Sequence, residues 1–257
     1  MSNKTDLDRL LQGFVDRGLP GCGLKITRRG ETVYEGYFGH ADVDAKTPLA
    51  ARSVFRQAST SKLPLYTAAL MLYEKGLFLL SDPLYEYLPE YRESRRVKHL
   101  PDGGTELVKT ERPLIVKDIL TMRCGLPYCN FPVETDDPTL KAMVEAMRPL
   151  WAKGHYTNRE QVRAMAEVPL SFEPGTHWMY GFASELVCAL VEAVTGKGVD
   201  AALEELLFDP LEMHDTRSHF FGDIPERMVT LYAVDEKNDL TPTAFPLEKN
   251  LPARGGE

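Results

Sequence analysis

A serine and a lysine three residues apart form the first candidate reactive pair, in Ser59-Thr60-Ser61-Lys62. On a helix, positions three apart lie on the same face, so the Lys62 amine can reach the Ser59 hydroxyl. A serine hydroxyl is a weak nucleophile until a base takes its proton. A lysine becomes that base when burial lowers its pKa, and the apolar residues after Lys62 would supply the burial. The spacing is therefore compatible with nucleophilic attack by Ser59, but by itself it is a weak signal.

The same pattern also fits an ordinary helix start. A Ser-x-x-Lys string arises about once by chance in a chain of this length. Ser59 would then cap the helix, and Lys62 would be an exposed residue of its first turn. Tyr180 likewise has two interpretations, as a phenol that transfers protons or as an aromatic core residue with a satisfied hydroxyl.

Other reactive motifs are poor. The four cysteines form no Cys-x-x-Cys pair and have no histidine at zinc-ligand spacing, which predicts reduced and mostly buried thiols. Gly21-Cys22-Gly23 precedes a strand instead of following one, so a dinucleotide site is not expected. His40, Asp42 and Asp44 favour an acidic turn over a metal site. We therefore expect no metal and no cofactor.

Composition and charge exclude several partners. The chain has 257 residues, which suits one large domain or two interleaved lobes. Its formal net charge of −8 argues against nucleic acid or an anionic membrane surface as partner, because both require basic patches. The N-terminus has no secretion-signal pattern, and Glu74, Lys75 and Gly76 interrupt the longest apolar stretch. These features predict a cytoplasmic protein without a membrane span.

The elements that must position these residues follow from hydrophobic periodicity. A helix is predicted over residues 6–17, two strands over 23–27 and 32–38, and a helix from Ser61 to Gly76. Residues 92–112 form an exposed loop or hairpin, and loops with short extended pieces follow Asp215. Further helices are predicted over 116–122, 140–151, 158–166, 185–195 and 201–207. A helix-rich block is thus inserted after a helix and a β-hairpin.

Several segments, taken in chain order, carry a resemblance to a known family. They are Phe55-Arg56-Gln57-Ala58 before the serine, residues 68–76 and 82–84 after it, residues 114–121 with Gly125-Leu126, residues 172–180, and residues 208–216. Together they resemble the landmarks of the serine hydrolase group that comprises β-lactamases, penicillin-binding proteins and family VIII esterases. The resemblance covers roughly residues 21–216.

The resemblance implies a fold, a mechanism and a set of site residues. The fold would be α+β and β-lactamase-like, with a helical lobe inserted against an antiparallel sheet. Residues 1–58 would supply the N-terminal helix and hairpin, 59–216 the helical lobe, and 217–257 a segment returning to the sheet. Ser59 would be the nucleophile, with Lys62 and Tyr180 as its acid–base partners. Trp178 and Phe182 would contact the substrate.

Two departures from the family pattern modify these expectations. Phe182 replaces the asparagine that binds the substrate amide in class C β-lactamases and D-peptidases, which favours an ester over a β-lactam or a peptide. The Lys-Thr-Gly or His-x-Gly motif that follows in the family is not found after Tyr180. Residues 254–257 resemble the start of the family's Gly-Gly-x-Gly-Leu segment. We therefore expect a truncated C-terminus and an incomplete sheet, with loss of an oxyanion-hole donor.

The leading hypothesis is a serine hydrolase that forms an acyl-enzyme on a small ester, or on an amide or β-lactam. Two alternatives remain open: a catalytically incomplete or non-catalytic ligand-binding member of the fold, and an acyltransferase that uses Ser59, Lys62 and Tyr180. The expected partner is a small-molecule ester or amide, not nucleic acid or membrane. A homo-oligomer or a complementing C-terminal chain is also possible.

Overall fold

The computed structural model describes residues 3–129, 132–237 and 239–243, which fall into two compact units. The first unit contains the described residues up to Ala58 together with residues 220–237 and 239–243. The second unit runs from Ser59 to His219. The helices of the second unit thus lie, in chain order, between the strands of the first, and the predicted α+β class is confirmed.

The first unit begins with helix α1 (Asn3–Val15) and an antiparallel sheet of three strands, β1 (Gly21–Arg28), β2 (Glu31–Asp42) and β3 (Thr47–Pro48). Both strands of the predicted hairpin are confirmed. Arg29 and Gly30, with φ of 53° and 84°, form the turn between them. Two successive residues with positive φ match the right-handed twist of the flanking strands, which accounts for Gly30. Helix α1 is tied to β2 where the Tyr34 hydroxyl donates to Asp8 at 2.7 Å.

The returning segment completes this unit. It contains helix α8 (Ile224–Arg227) and a hairpin of β6 (Tyr232–Val234) with β7 (Leu240–Pro242). Thr230 anchors the segment to the end of β2, since its amide donates to the Ala41 carbonyl at 2.9 Å and its hydroxyl to Asp42 at 2.6 Å. The short extended pieces predicted after Asp215 are therefore confirmed.

The second unit is built around two apolar helices, α2 (Lys62–Glu74) and α6 (Ala183–Thr195). Each buries a face that recurs at helical spacing, and Gly196 ends α6 in the left-handed conformation. Helix α6 packs against α2, α3 (Val116–Leu120), α5 (Asn158–Met165) and α7 (Val199–Leu203). The core of this unit therefore centres on α6, directly after Tyr180.

Capping residues fix the remaining helices. Asp137 accepts the Leu140 amide at the start of α4 (Pro138–Lys153), and Thr157 and Glu160 form a reciprocal capping box on α5. After α7 the chain passes through one π-helical turn, Glu204–Phe208. All the predicted helices are confirmed, with ends that differ by a few residues.

The charged segment before α3 is a hairpin, β4 (Arg95–His99) paired with β5 (Thr105–Lys109). This observation selects the hairpin from the two forms that the sequence allowed. Among the described residues no helix is long and apolar enough to cross a membrane. The four cysteines are free thiols, as predicted.

Candidate active site

The three residues predicted to be catalytic come together in the second unit. The Ser59 hydroxyl oxygen lies 2.8 Å from the Tyr180 hydroxyl, in a hydrogen bond in which either group can donate. The Lys62 ammonium donates to the same Ser59 oxygen at 3.1 Å. Ser59 and Tyr180 are 121 positions apart in the sequence, so the fold alone creates this contact.

Ser59 does not lie on helix α2 itself. It belongs to a 3₁₀ turn, Ala58–Ser61, and Lys62 is the first residue of the α-helix. Side chains three residues apart eclipse each other in a 3₁₀ turn, which brings Lys62 directly over Ser59. Ala58, just before the serine, has a φ of 44°, a conformation that is costly for a residue with a Cβ. The expected helical spacing is thus replaced by a tighter turn that holds the same pair.

Backbone pairing with a second loop fixes Tyr180. The Met179 amide donates to the Met122 carbonyl at 2.9 Å, and the Phe182 amide donates to the Leu126 carbonyl at 3.1 Å. Gly181 lies between them, where a Cβ would overlap the Leu126 carbonyl oxygen. The loop that carries Tyr180 is therefore bound on both sides of the tyrosine, and its glycine permits the close approach.

A charged network anchors the chain that leads to Tyr180. The Arg112 guanidinium donates to both carboxylate oxygens of Asp118, at 2.7 and 2.9 Å, and also to the Pro174 carbonyl. Gly175 has a φ of 80° and leaves room for this guanidinium. Glu173 accepts from Arg96 at 2.8 Å. Glu173-Pro174-Gly175 thus has a structural role, because its contacts attach the chain before Tyr180 to α3 and β4.

A fourth aromatic residue lies in the site and was missed in the sequence. The Tyr128 ring centroid is 5.3 Å from that of Tyr180 and 4.8 Å from that of Phe182. Tyr128 follows Gly125-Leu126-Pro127, the segment that pairs with Gly181. The only signal in the sequence was an aromatic residue directly after Gly125-Leu126-Pro127. It did not reveal the contact, because Tyr128 and Tyr180 are far apart in the sequence.

The two predicted substrate-binding residues occupy different surroundings. Phe182 is buried, with 1% of its surface exposed, and packs on Tyr128. Trp178 is 65% exposed, with its ring centroid 6.5 Å from that of Tyr180. Trp178 is thus accessible to a bound molecule, whereas Phe182 supports the site from within. His177 is held by Thr176 at 2.8 Å and by the Phe172 ring.

The pKa values of the two proton-carrying groups shift in opposite directions. Burial acts to lower the pKa of Lys62, but the hydrogen bond with Tyr180 and the nearby Tyr128 outweigh it and raise that pKa above its usual value. The hydrogen bond with Ser59, followed by that with Lys62, lowers the pKa of Tyr180. The expectation of a lysine with a lowered pKa was therefore wrong, because burial of Lys62 is incomplete and two phenols lie beside it.

This arrangement suits a phenolate base beside a fixed ammonium ion. Tyr180 loses its proton more readily than an isolated tyrosine, and Lys62 retains its proton. A proton can pass from the Ser59 hydroxyl to Tyr180 across the 2.8 Å hydrogen bond.

Among the described residues no group of His, Cys, Asp or Glu is placed to hold a metal ion. Burial raises the pKa of Cys124 to about 11, which makes it an unreactive thiol.

The mixed α/β fold of this chain, with a helical unit and small antiparallel sheets, is that of a class of proteins that includes hydrolases and acyltransferases. The profile of the family described as Beta-lactamase matches residues 7–253. The chain belongs to this family.

Curated relatives include esterases. The chain is 31% identical over 221 residues to esterase EstB from Burkholderia gladioli, an alignment that covers 86% of this chain and 52% of the relative. It is 29% identical over 238 residues to a lovastatin esterase from Penicillium rubens, covering 89% of this chain and 57% of the relative. The chain thus spans about half the length of the curated relatives it matches.

Solved structures agree in fold. EstCE1, a hydrolase with promiscuous acyltransferase activity, superposes with a TM-score of 0.76 at 24% identity, over 98% of this chain and 62% of that one. A mutant of simvastatin synthase from Aspergillus terreus gives a TM-score of 0.73 at 21% identity, over 100% of this chain and 63% of that one. These similarities establish the β-lactamase-like fold.

Proposed function

We propose that this chain carries the catalytic serine of an ester hydrolase that works through an acyl-enzyme. The observation that carries the proposal is the continuous contact from Lys62 to Ser59 to Tyr180, with distances of 3.1 and 2.8 Å. A nucleophile within hydrogen-bond reach of its base, with a third group orienting the pair, is the arrangement that activates a serine.

In the proposed reaction, Tyr180 takes the Ser59 proton as the serine oxygen attacks the ester carbonyl carbon. The tetrahedral intermediate then collapses, the carbon–oxygen bond to the alcohol breaks, and Tyr180 returns the proton to the departing oxygen. Water attacks the acyl-enzyme in the second half, with Tyr180 again as base, and Ser59 recovers its proton. Lys62 remains protonated throughout and stabilises the negative charge on Tyr180.

We favour an ester with an apolar acyl or alcohol group as substrate. Trp178 offers an exposed aromatic surface beside Tyr180, which suits apolar groups. The position after Tyr180-Gly181 holds Phe182, which cannot bind an amide through a hydrogen bond. The names of two relatives, an esterase and a lovastatin esterase, are consistent with this choice.

Acyl transfer is the second candidate. Ser59 is exposed, and Tyr180 is 43% exposed, so an acceptor alcohol could approach the acyl-enzyme in place of water. An acyltransferase from Penicillium decumbens is 26% identical over 174 residues, covering 67% of this chain and 40% of that protein. Product that forms only in the presence of an added alcohol would select this candidate.

The test is the intact mass of the chain after incubation with a fluorophosphonate and, separately, with p-nitrophenyl butyrate. We expect one adduct per chain, lost in Ser59→Ala and retained in Ser61→Ala, the matched control for a neighbouring hydroxyl. Tyr180→Phe should lower the labelling rate by about 10²–10⁴-fold, the usual contribution of a positioned base. Absence of an adduct on the folded chain would favour the non-catalytic alternative. Cytoplasmic location, a homo-oligomer and a complementing chain stay predictions.

A further inference from the structure

Tyr128 lies in the site, yet the proposed reaction leaves it without a role. One side of its ring rests on Phe182, at a centroid distance of 4.8 Å and an interplanar angle of 60°. Because Phe182 is buried, this contact attaches Tyr128 to the core of the second unit. Tyr128 itself is only half-buried, so part of its ring remains available to the site.

The Lys62 ammonium lies near two tyrosine rings. Its nitrogen is 5.1 Å from the ring centroid of Tyr180 and 5.8 Å from that of Tyr128. Both distances are within the roughly 6 Å over which an aromatic face attracts a cation. The same ammonium donates to Ser59 at 3.1 Å. Lys62 thus lies beside both rings at the position where it contacts the nucleophile.

We infer that Tyr128 is a positioning residue that keeps Lys62 charged and oriented toward Ser59 and Tyr180. The inference rests on the proposed function and extends it by one residue. An aromatic face attracts the ammonium ion and has little attraction for the neutral amine, so the ring favours the protonated form. Burial alone would favour the amine.

Other charged and titratable groups surround this cluster. The charge of Lys62 acts to lower the pKa of Tyr66, which lies one turn along α2. The charge of Glu185, at the start of α6, acts to raise the pKa of both Tyr128 and Tyr180. Glu185 adds negative charge whichever residue occupies position 128. The Tyr128 hydroxyl also acts on Lys62 through a hydrogen bond, so the difference between Tyr128→Phe and Tyr128→Leu isolates the contribution of the ring.

The experiment measures the rate of Ser59 phosphonylation against pH, by intact mass, in the wild type, Tyr128→Leu and Tyr128→Phe. The wild-type rate should fall at high pH as Lys62 loses its proton. In Tyr128→Leu this alkaline limb should move about half a pH unit lower, the size expected for the loss of one aromatic ring beside an ammonium ion. Tyr128→Phe keeps the ring and should shift less.

Tyr85→Leu is the matched control, because Tyr85 is also half-buried and its ring lies over a cation, 4.3 Å from Arg92. Its alkaline limb should coincide with that of the wild type. A Tyr128→Leu profile lowered by one factor at every pH, with the limb unmoved, would overturn the inference and leave Tyr128 a purely structural residue. Circular dichroism checks that each variant is folded.

A second measurement keeps the inference separate from the proposed function. The ¹³Cε signal of Lys62 can be titrated in the same variants whether or not Ser59 reacts. A Lys62 titration midpoint that is lower in Tyr128→Leu than in the wild type supports the inference, whether or not the wild type is labelled. A wild type that is not labelled contradicts only the proposed hydrolase function. Equal midpoints in the wild type and Tyr128→Leu would contradict the inference even if labelling is efficient.

Discussion

At the scale of single residues, the site depends on how protons are shared between Lys62 and Tyr180. The pKa of Lys62 is raised by the phenols beside it, and the pKa of Tyr180 is lowered by Ser59 and Lys62. Each group thus stabilises the charged form of the other. Over the pH range between the two pKa values, an ammonium and a phenolate coexist, which is the state the proposed reaction requires.

Removing the ammonium should make Tyr180 a worse base at neutral pH. In Lys62→Met the hydrogen bond and the positive charge are lost, so the pKa of Tyr180 rises and the acidic limb of the labelling profile moves to higher pH. A charge at this distance shifts a pKa by one unit or more, so we expect a loss of about tenfold or greater at pH 7. The pH dependence of phosphonylation checks this expectation, and an unmoved acidic limb would contradict it.

At the scale of elements, Tyr180 depends on the pairing of two loops through Gly181. A Cβ at position 181 would overlap the Leu126 carbonyl oxygen. Because this oxygen belongs to the backbone and cannot rotate away as a side chain could, the two loops must move apart. Gly181→Ala should cost about 1–3 kcal/mol of the free energy of unfolding, the usual range for overpacking. It should also abolish rapid labelling, because Tyr180 moves with the loop.

The control for Gly181→Ala is Gly13→Ala, on α1, where the added methyl meets only an ordinary contact with Arg17. There alanine should stabilise the helix by up to about 1 kcal/mol, because glycine is a poor helix former. Urea unfolding followed by fluorescence measures both variants. Equal stability of the wild type and Gly181→Ala would show that the two loops are not tightly paired.

The network around Arg112 makes a second element-scale prediction. Asp118 is 4% exposed and accepts three hydrogen bonds, two of them from Arg112. Asp118→Asn removes the carboxylate charge and leaves the Arg112 guanidinium without its counter-ion. The free energy of unfolding should fall by about 2 kcal/mol. This loss is smaller than for a fully buried pair because the Arg112 side chain is 39% exposed.

The exposed pair of Arg9 and Asp6 offers a comparison, with side chains 69% and 58% exposed. Asp6→Asn should change the free energy of unfolding by less than about 1 kcal/mol, because solvent screens such pairs. Similar losses in Asp118→Asn and Asp6→Asn would contradict the role of the buried network.

The elements also show what the sequence could and could not predict. Periodicity located the helices and the β1–β2 hairpin, because a buried face at regular spacing is a local property of the chain. The 3₁₀ turn at Ser59 was missed, since a turn of four residues has no period of its own. The contacts of Tyr128 and the raised pKa of Lys62 arise from residues far apart in sequence, so local patterns carry no record of them.

At the scale of the whole molecule, carboxyl groups divide into two sets with opposite effects on stability. Lys153 and the Thr157 backbone lower the pKa of Glu160 to about 2, and the stability this provides is present above the ordinary carboxyl range and lost as pH falls. Burial raises the pKa of Glu192 to about 7 and also raises that of Asp200. Ionisation of these two groups destabilises the folded state, so their effect on the free energy of unfolding worsens as pH rises. The two sets together predict that stability is greatest in mildly acidic solution.

Glu192 provides the sharpest test of this balance. Its ordinary pKa is 4.5 and its folded value is about 7, so between these values the folded state binds more protons than the unfolded state. Stability must therefore fall as pH rises through this window, and the full penalty applies above it. Glutamine at position 192 is neutral at every pH and can still accept the Val199 amide, which now donates to Glu192 at 3.3 Å.

We therefore expect Glu192→Gln to match the wild type at pH 4.5 and to exceed it in free energy of unfolding at pH 8. Because Glu192 is only partly buried, the gain should be on the order of 1 kcal/mol, below the value that the full pKa shift would give. Glu145→Gln, on the exposed side of α4, removes the same charge without the burial and should show no such difference between the two pH values. Urea unfolding at both pH values decides the matter: a gain of equal size at pH 4.5 and pH 8 would mean that packing, not the ionisation of Glu192, accounts for the change.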